Sequence, residues 1–116
     1  MIEKISAVTL FTREMGDAFR FYDSLGFQLH YGGASATFTT FSLGENFFNI
    51  ELDPGYIASH WGRVIFYVSD VDEMFARIRD LSVKPSTAPR DAAWGERYFH
   101  ISDPDGHELS FVRRLD

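Results

Sequence analysis

Hydrophobic side chains in this chain pass from a spacing of two to a spacing of three or four and back, and they do so twice. Ile5 to Phe11 (ISAVTLF) is β-prone and apolar on both faces, the pattern of an inner strand. Between Met15 and Leu25, the residues Ala18, Phe19, Tyr22 and Leu25 recur at i, i+1, i+4 and i+7. That is one stripe of an amphipathic helix, begun by Thr12 or Glu14 and ended by Gly26. Three strands follow, Phe27 to Tyr31, Ala36 to Leu43 and Phe47 to Leu52, separated by the turn signals Gly32-Gly33 and Gly44-Glu45-Asn46. Asp53-Pro54-Gly55 stops the last of these and opens a linker that runs to Gly62.

The pattern then restarts. Arg63 to Val68 (RVIFYV) is a strand, and Asp70-Val71-Asp72-Glu73 has the acceptor-x-x-Glu spacing of a capping box. Val71, Met74, Phe75, Ile78 and Leu81 form a helical stripe at i, i+3, i+4, i+7 and i+10, the core face of a second helix. Val83 to Arg90, interrupted by Pro85 and Pro89, is an edge strand or a loop. Asp103-Pro104-Asp105-Gly106 spells a tight turn, with an acceptor first, a proline that presets φ second and a glycine fourth. Arg97 to Ser102 and His107 to Arg113 are the two strands it joins. Both halves therefore read strand, helix and two or three further strands, a repeat of roughly 55 residues visible in element order.

With 116 residues, the chain supports one domain or two small packed modules and buries about two-thirds of the surface its unfolded form exposes. Twelve phenylalanines and 16% aromatic residues serve equally in a core and in a pocket for flat ligands. No apolar run reaches the roughly 18 residues of a membrane span, and Met1-Ile2-Glu3-Lys4 does not resemble the start of a signal peptide, so a cytoplasmic location is expected. The absence of cysteine excludes disulfides and thiolate metal sites. A net charge of −6 opposes nucleic-acid binding and mildly favours a cationic ligand.

Three stretches, AVTLFTREMGDAFRFYDSLGF, VIFYVSDVDEMFARI and WGERYFHISDPDGHELSFV, resemble the vicinal oxygen chelate superfamily of glyoxalase I, extradiol dioxygenases, fosfomycin-resistance enzymes and bleomycin-resistance proteins. The resemblance spans nearly the whole chain. It implies a single α+β domain over residues 1–116, built from two βαβββ modules (1–53 and 63–116, with a linker at 54–62) that form a curved mixed sheet around a cleft. It also implies a two-fold homodimer. In metal-dependent relatives, four cleft-facing strand residues hold one divalent ion, and motif alignment puts those positions at Ala7, Glu51, Arg63 and Ser110. Only Glu51 is a good ligand, since alanine has no lone pair, arginine repels a cation and serine is a weak neutral donor. No metal or other cofactor is therefore expected. His30, His60, His100, His107 and Glu108 lack the spacing of a metal motif; His100 is placed in or near the core, and His30 and His107 at strand ends.

Stepping by two from Glu51 and Ser110 places Ala7, Thr9, Phe11, Phe47, Asn49, Glu51, Arg63, Ile65, Tyr67, Glu108, Ser110 and Val112 on the cleft face. Val8, Leu10, Phe48, Ile50, Val64, Phe66, Leu109 and Phe111 are left to pack against the helices. A salt bridge between Glu51 and Arg63 is the simplest fate of two buried charges; the alternative is that Arg63 receives a ligand carboxylate or phosphate while Glu51 orients it. Trp94 lies on a loop resembling the one that sets an aromatic over the drug in bleomycin-resistance proteins. The expected function is metal-free binding of an aromatic or cationic small molecule, in the manner of drug or toxic-metabolite sequestration and antibiotic resistance. The alternative is an enzyme, a glyoxalase-like lyase, isomerase or dioxygenase, with a displaced metal or with Glu51 as general base.

Overall fold

The structure is a computed structural model that describes residues 1–81 and 83–116. The chain divides into two compact units, Met1–Ala58 and Ser59–Asp116. Unit one runs β1 (Ala7–Thr12), α1 (Met15–Ser24), β2 (Gln28–Tyr31), β3 (Phe38–Leu43) and β4 (Asn46–Leu52). Unit two runs β5 (Arg63–Tyr67), α2 (Val71–Asp80), β6 (Arg90–Asp91), β7 (Glu96–Ser102) and β8 (Glu108–Arg114). Each unit is one four-stranded mixed sheet, ordered β1-β4-β3-β2 and β5-β8-β7-β6. In both, the first and last strands of the unit pair in parallel and the other pairs are antiparallel.

Helix boundaries follow from their caps. Glu14 is the N-cap of α1, accepting from the Gly16 amide at 3.2 Å, while the Thr12 hydroxyl accepts from the Glu14 amide, so both candidates for the helix start take part. At the other end, Phe27 N donates to Tyr22 O across Gly26, the bond that closes a helix through a left-handed residue. Asp70 caps α2 by accepting from Glu73 N at 3.0 Å.

Each helix covers one face of its own sheet. In unit one, Tyr22 is fully buried, with ring centroids 5.0 Å from Phe48, 5.2 Å from Phe27 and 6.0 Å from Phe41, and Met15 and Ala18 are buried beside it. In unit two, Ile78 and Val71 are buried and Phe75 meets Phe99 edge to face at 5.3 Å, with Phe99 stacked on Phe111. Arg97 on β7 reaches back to Asp72 of α2 at 2.9 Å and to Asp91 of β6 at 2.9 Å, tying the helix to the sheet edge.

Several boundaries differ from the sequence expectation. The first strand is Ala7–Thr12, not Ile5 to Phe11, because its ladder with β4 begins at Ala7↔Phe47; Ile5 is exposed. The third strand begins at Phe38 instead of Ala36, since residues 33–36 close a turn in which Ala36 N donates to Gly33 O. Leu81, assigned to the apolar stripe of the second helix, is its C-cap and is exposed, being one residue beyond the last full turn. The stretch from Val83 to Arg90 contributes only the short strand Arg90–Asp91; upstream, Ser86 and Thr87 attach to β7 through His100 instead of through a ladder.

Candidate ligand-binding site

The site-forming face of unit two is fixed by the hairpin. Gly106 N donates to Asp103 O at 3.0 Å with Gly106 at φ 86°, and Asp103 Oδ1 accepts from the amides of Asp105 and His107 at 2.9 Å each. This closes β7 on β8 with Ser102 opposite Glu108, and hence His100 opposite Ser110 and Tyr98 opposite Val112. Cross-strand partners share a face, so Glu96, Tyr98 and His100 join Ser110, Val112 and, from β5, Arg63 and Ile65 on the side that α2 does not cover. Together with Trp94 these residues line a hollow of about 210 Å³.

One end of the hollow is apolar. Trp94, 71% exposed, stacks on Tyr98 at 5.9 Å, and its indole N–H donates to Glu96 Oε1 at 2.8 Å. Ile65 and Val112 complete this wall. The other end is polar: Ser110 Oγ and His100 Nδ1 share a hydrogen bond of 2.6 Å, and Arg63 Nη1 lies 3.0 Å from Nδ1 and 2.8 Å from Nε2 of the same ring. Near-equal distances to both ring nitrogens place the guanidinium over the imidazole face instead of on a single lone pair. Ser110 is only 2% exposed beneath this pair.

His100 is held below the ordinary histidine range, first by burial and then by the Arg63 charge, with Glu108 opposing. The unfolded chain thus takes up a proton near the ordinary value of 6.5, whereas the folded chain resists it. Stability is unimpaired above that value, falls as pH drops below it, and the loss is complete below the folded-state value. Unfolding midpoints measured from about pH 8 down to about pH 5 will fall more steeply for the wild type than for His100→Gln. Parallel curves would refute this role for His100.

The remaining expected residues fall outside the hollow. Tyr67 is near the strand end, its hydroxyl accepting from Arg114 N at 3.1 Å under the Arg113 guanidinium. Glu108 lies 3.5 Å from His60 and 3.9 Å from Arg63. In unit one, Ala7, Thr9, Phe11, Phe47, Asn49 and Glu51 sit at alternate positions on the sheet face opposite α1. There Thr40 donates to Asn49 Oδ1 at 2.8 Å, Asn49 donates to Thr9 at 3.2 Å, and His30 lies against Phe47 at 5.2 Å. The expected Glu51–Arg63 pair joins residues of different units; within its own unit Arg63 engages His100 and Glu108.

Sequence reasoning missed Glu96, Tyr98 and His100, and on β3 Thr40. His100 belongs to the polar end of the hollow, not to the core, because the core side of β7 is taken by Phe99 and Ile101. The turn itself carried the signal: once Asp103 to Gly106 closes the hairpin, counting back from Ser110 lands on His100. His107 is buried, accepting on Nδ1 from the Trp61 indole at 2.9 Å. A more open hollow of about 580 Å³ runs along α2, but its Asp70 is the helix cap.

These residues do not fit a divalent ion at the four alignment positions. Ala7 offers no donor, Arg63 sets a fixed positive charge against His100, and the Ser110 hydroxyl is engaged with that ring. Among the described residues, no three His, Cys, Asp or Glu side chains converge.

Comparison with known proteins agrees with this architecture. The family model described as "Glyoxalase/Bleomycin resistance protein/Dioxygenase superfamily" matches residues 4–111. A bleomycin resistance protein of Geobacillus stearothermophilus is 35% identical over 49 residues, which is 41% of this chain and 37% of that protein's length. The crystal structure of a bleomycin-binding protein complexed with bleomycin superposes with a TM-score of 0.77 at 19% identity, over 97% of this chain and 99% of the other. Lactoylglutathione lyase from Agrobacterium tumefaciens superposes with a TM-score of 0.77 at 18% identity, over 97% and 94%. At these identities the structural likenesses establish the α+β fold, which a binding protein and a lyase share.

Proposed function

Because the chain belongs to the glyoxalase/bleomycin resistance protein/dioxygenase superfamily, we propose that it binds a flat aromatic small molecule without metal-assisted turnover, as a sequestering protein. One observation carries the reading: the polar end of the hollow is built from Arg63, His100 and Ser110 contacting one another, beside a wall of Trp94 and Tyr98. A guanidinium, an imidazole and a hydroxyl offer donors to a ligand but no set of anionic ligands to a cation. The volume of about 210 Å³ is below the roughly 300–1,000 Å³ of a whole drug-sized pocket, so the hollow receives one ring and its substituent. The 49-residue likeness to a bleomycin resistance protein supports drug binding as the biological role. The proposal includes a homodimer, as the family resemblance implies, and a cytoplasmic location, as the sequence pattern leads one to expect.

Calorimetric titration with bleomycin and a series of planar aromatic compounds tests the reading. At least one will bind, with an affinity unchanged by EDTA, and Trp94→Ala will weaken it about tenfold or more through loss of stacking. Near-stoichiometric Zn, Ni, Mn or Fe in protein purified without chelator would sink the metal-free reading. The enzymatic alternative rests on Glu51, which stands exposed on the face of unit one. It gains support only if a Glu51→Gln variant loses a measured turnover while still binding ligand.

A further inference from the structure

Building on the ligand-binding reading, we infer that the hollow of unit two selects ligands bearing a carboxylate or similar oxyanion next to the ring, with Arg63 as the residue that receives it. A guanidinium carries five N–H donors in a planar fork. In this site Nη1 is spent over the His100 ring, and Nη2 lies 3.9 Å from Glu108 Oε2. That separation exceeds the roughly 3.2 Å of a hydrogen bond, and Glu108 is also 3.5 Å from His60. The Arg63 side chain is 37% exposed, so its remaining donors are both open to a ligand and incompletely used.

The acidic groups nearby do not fill that role. Glu96 lines the hollow, and its carboxylate accepts from the Trp94 indole N–H at 2.8 Å, which fixes the aromatic wall and engages one of its oxygens. At the inner end stand the Arg63 guanidinium, with the Glu108 carboxylate as a loose counter-charge 3.9 Å away, the neutral His100 imidazole and the Ser110 hydroxyl. A planar ligand with its ring against Trp94, Tyr98, Ile65 and Val112 thus meets donors, and an oxyanion there accepts two parallel N–H bonds from Arg63. A cationic substituent in the same place would face Arg63 directly. The net charge of −6 and the nearby Glu96 and Glu108 point towards cationic ligands, but the part-used Arg63 donors beside the Ser110 end favour an oxyanion there.

The test compares benzoate with benzamide, one-ring probes that differ in charge but hardly in shape, by calorimetry on the full chain. The wild type will bind the carboxylate roughly ten- to hundredfold more tightly than the amide, the range of a charge-assisted bond at a half-exposed site. In Arg63→Met the ratio will fall to about one, and in Arg63→Lys, which keeps the charge but loses the fork, it will lie between. Urea midpoints for each variant accompany the titrations, so that a loss of folding is separated from a loss of recognition. Equal affinity of the wild type for both probes overturns the inference and leaves aromatic binding standing. A preference that survives in Arg63→Met overturns the part given to Arg63. Failure of the wild type to bind either probe removes both the inference and the ligand reading of this hollow.

Discussion

Replacing Tyr22 with alanine will lower the free energy of unfolding by about 3–5 kcal/mol, the cost of removing a large aromatic side chain from a core that cannot close over the space. Tyr22 has no exposed surface and lies within about one ring's reach of Phe21, Phe27, Phe41 and Phe48, with centroids 5.0, 5.2, 6.0 and 5.0 Å away. These rings come from α1, the second residue after its cap, β3 and β4, so one truncation loosens the helix from two strands together. Against a total stability of about 5–15 kcal/mol for a domain this size, the variant will be marginal at 37 °C. Tyr22→Phe keeps the volume and will cost less than about 1.5 kcal/mol. Urea unfolding measures both, and a Tyr22→Ala loss below about 1 kcal/mol would mean that the aromatic cluster is not the core of unit one.

Asp103→Ala comes next in size, at about 2–4 kcal/mol, and for a different reason. The carboxylate is 6% exposed and accepts from two buried backbone amides, of Asp105 and His107, at 2.9 Å each. Alanine leaves those amides without their acceptor inside the protein, at about 1–3 kcal/mol apiece, partly relieved where water reaches the turn. Asp103→Asn retains a side-chain oxygen in the same place and will recover more than half of the loss. Equal destabilisation by Ala and Asn would show that the charge, not the acceptor geometry, holds the turn. Because the turn sets the register of β7 on β8, Asp103→Ala will also displace His100 from Ser110 and weaken ligand binding, with Trp94 itself unchanged.

These two residues also mark what was legible in advance. The turn was readable because its determinants are local: four consecutive residues contain the acceptor, the proline and the glycine. The helix-covered faces were readable because alternation along β4 and β8 leaves an unbroken apolar set, and Phe48, Ile50, Leu109 and Phe111 are all buried. The site was legible only in part. Alternation and the family alignment reach Arg63, Ile65 and Ser110, and the resemblance reaches Trp94, and these four lie together; Tyr98 is reached by neither and His100 is assigned to the core, because β7 carries no alignment position from which to count. The partners of Arg63 were beyond the reach of pattern. His100 is 37 residues away in sequence and comes close only because β8 inserts between β5 and β7, an order that periodicity does not encode. Leu81 shows the opposite failure, where a periodic stripe was extended one residue past the point at which the helix is capped.

The two tryptophans in the sequence, Trp61 and Trp94, both belong to the unit that spans Ser59–Asp116, one on the buried imidazole of His107 and the other on Tyr98 at the hollow. Indole emission is therefore an optical probe of that unit alone, and the unfolding of Met1–Ala58 is spectroscopically silent at those wavelengths. Circular dichroism in the far ultraviolet samples the strands and helices of both. Overlaid, the two transitions report whether the tandem modules melt as one cooperative body or as two.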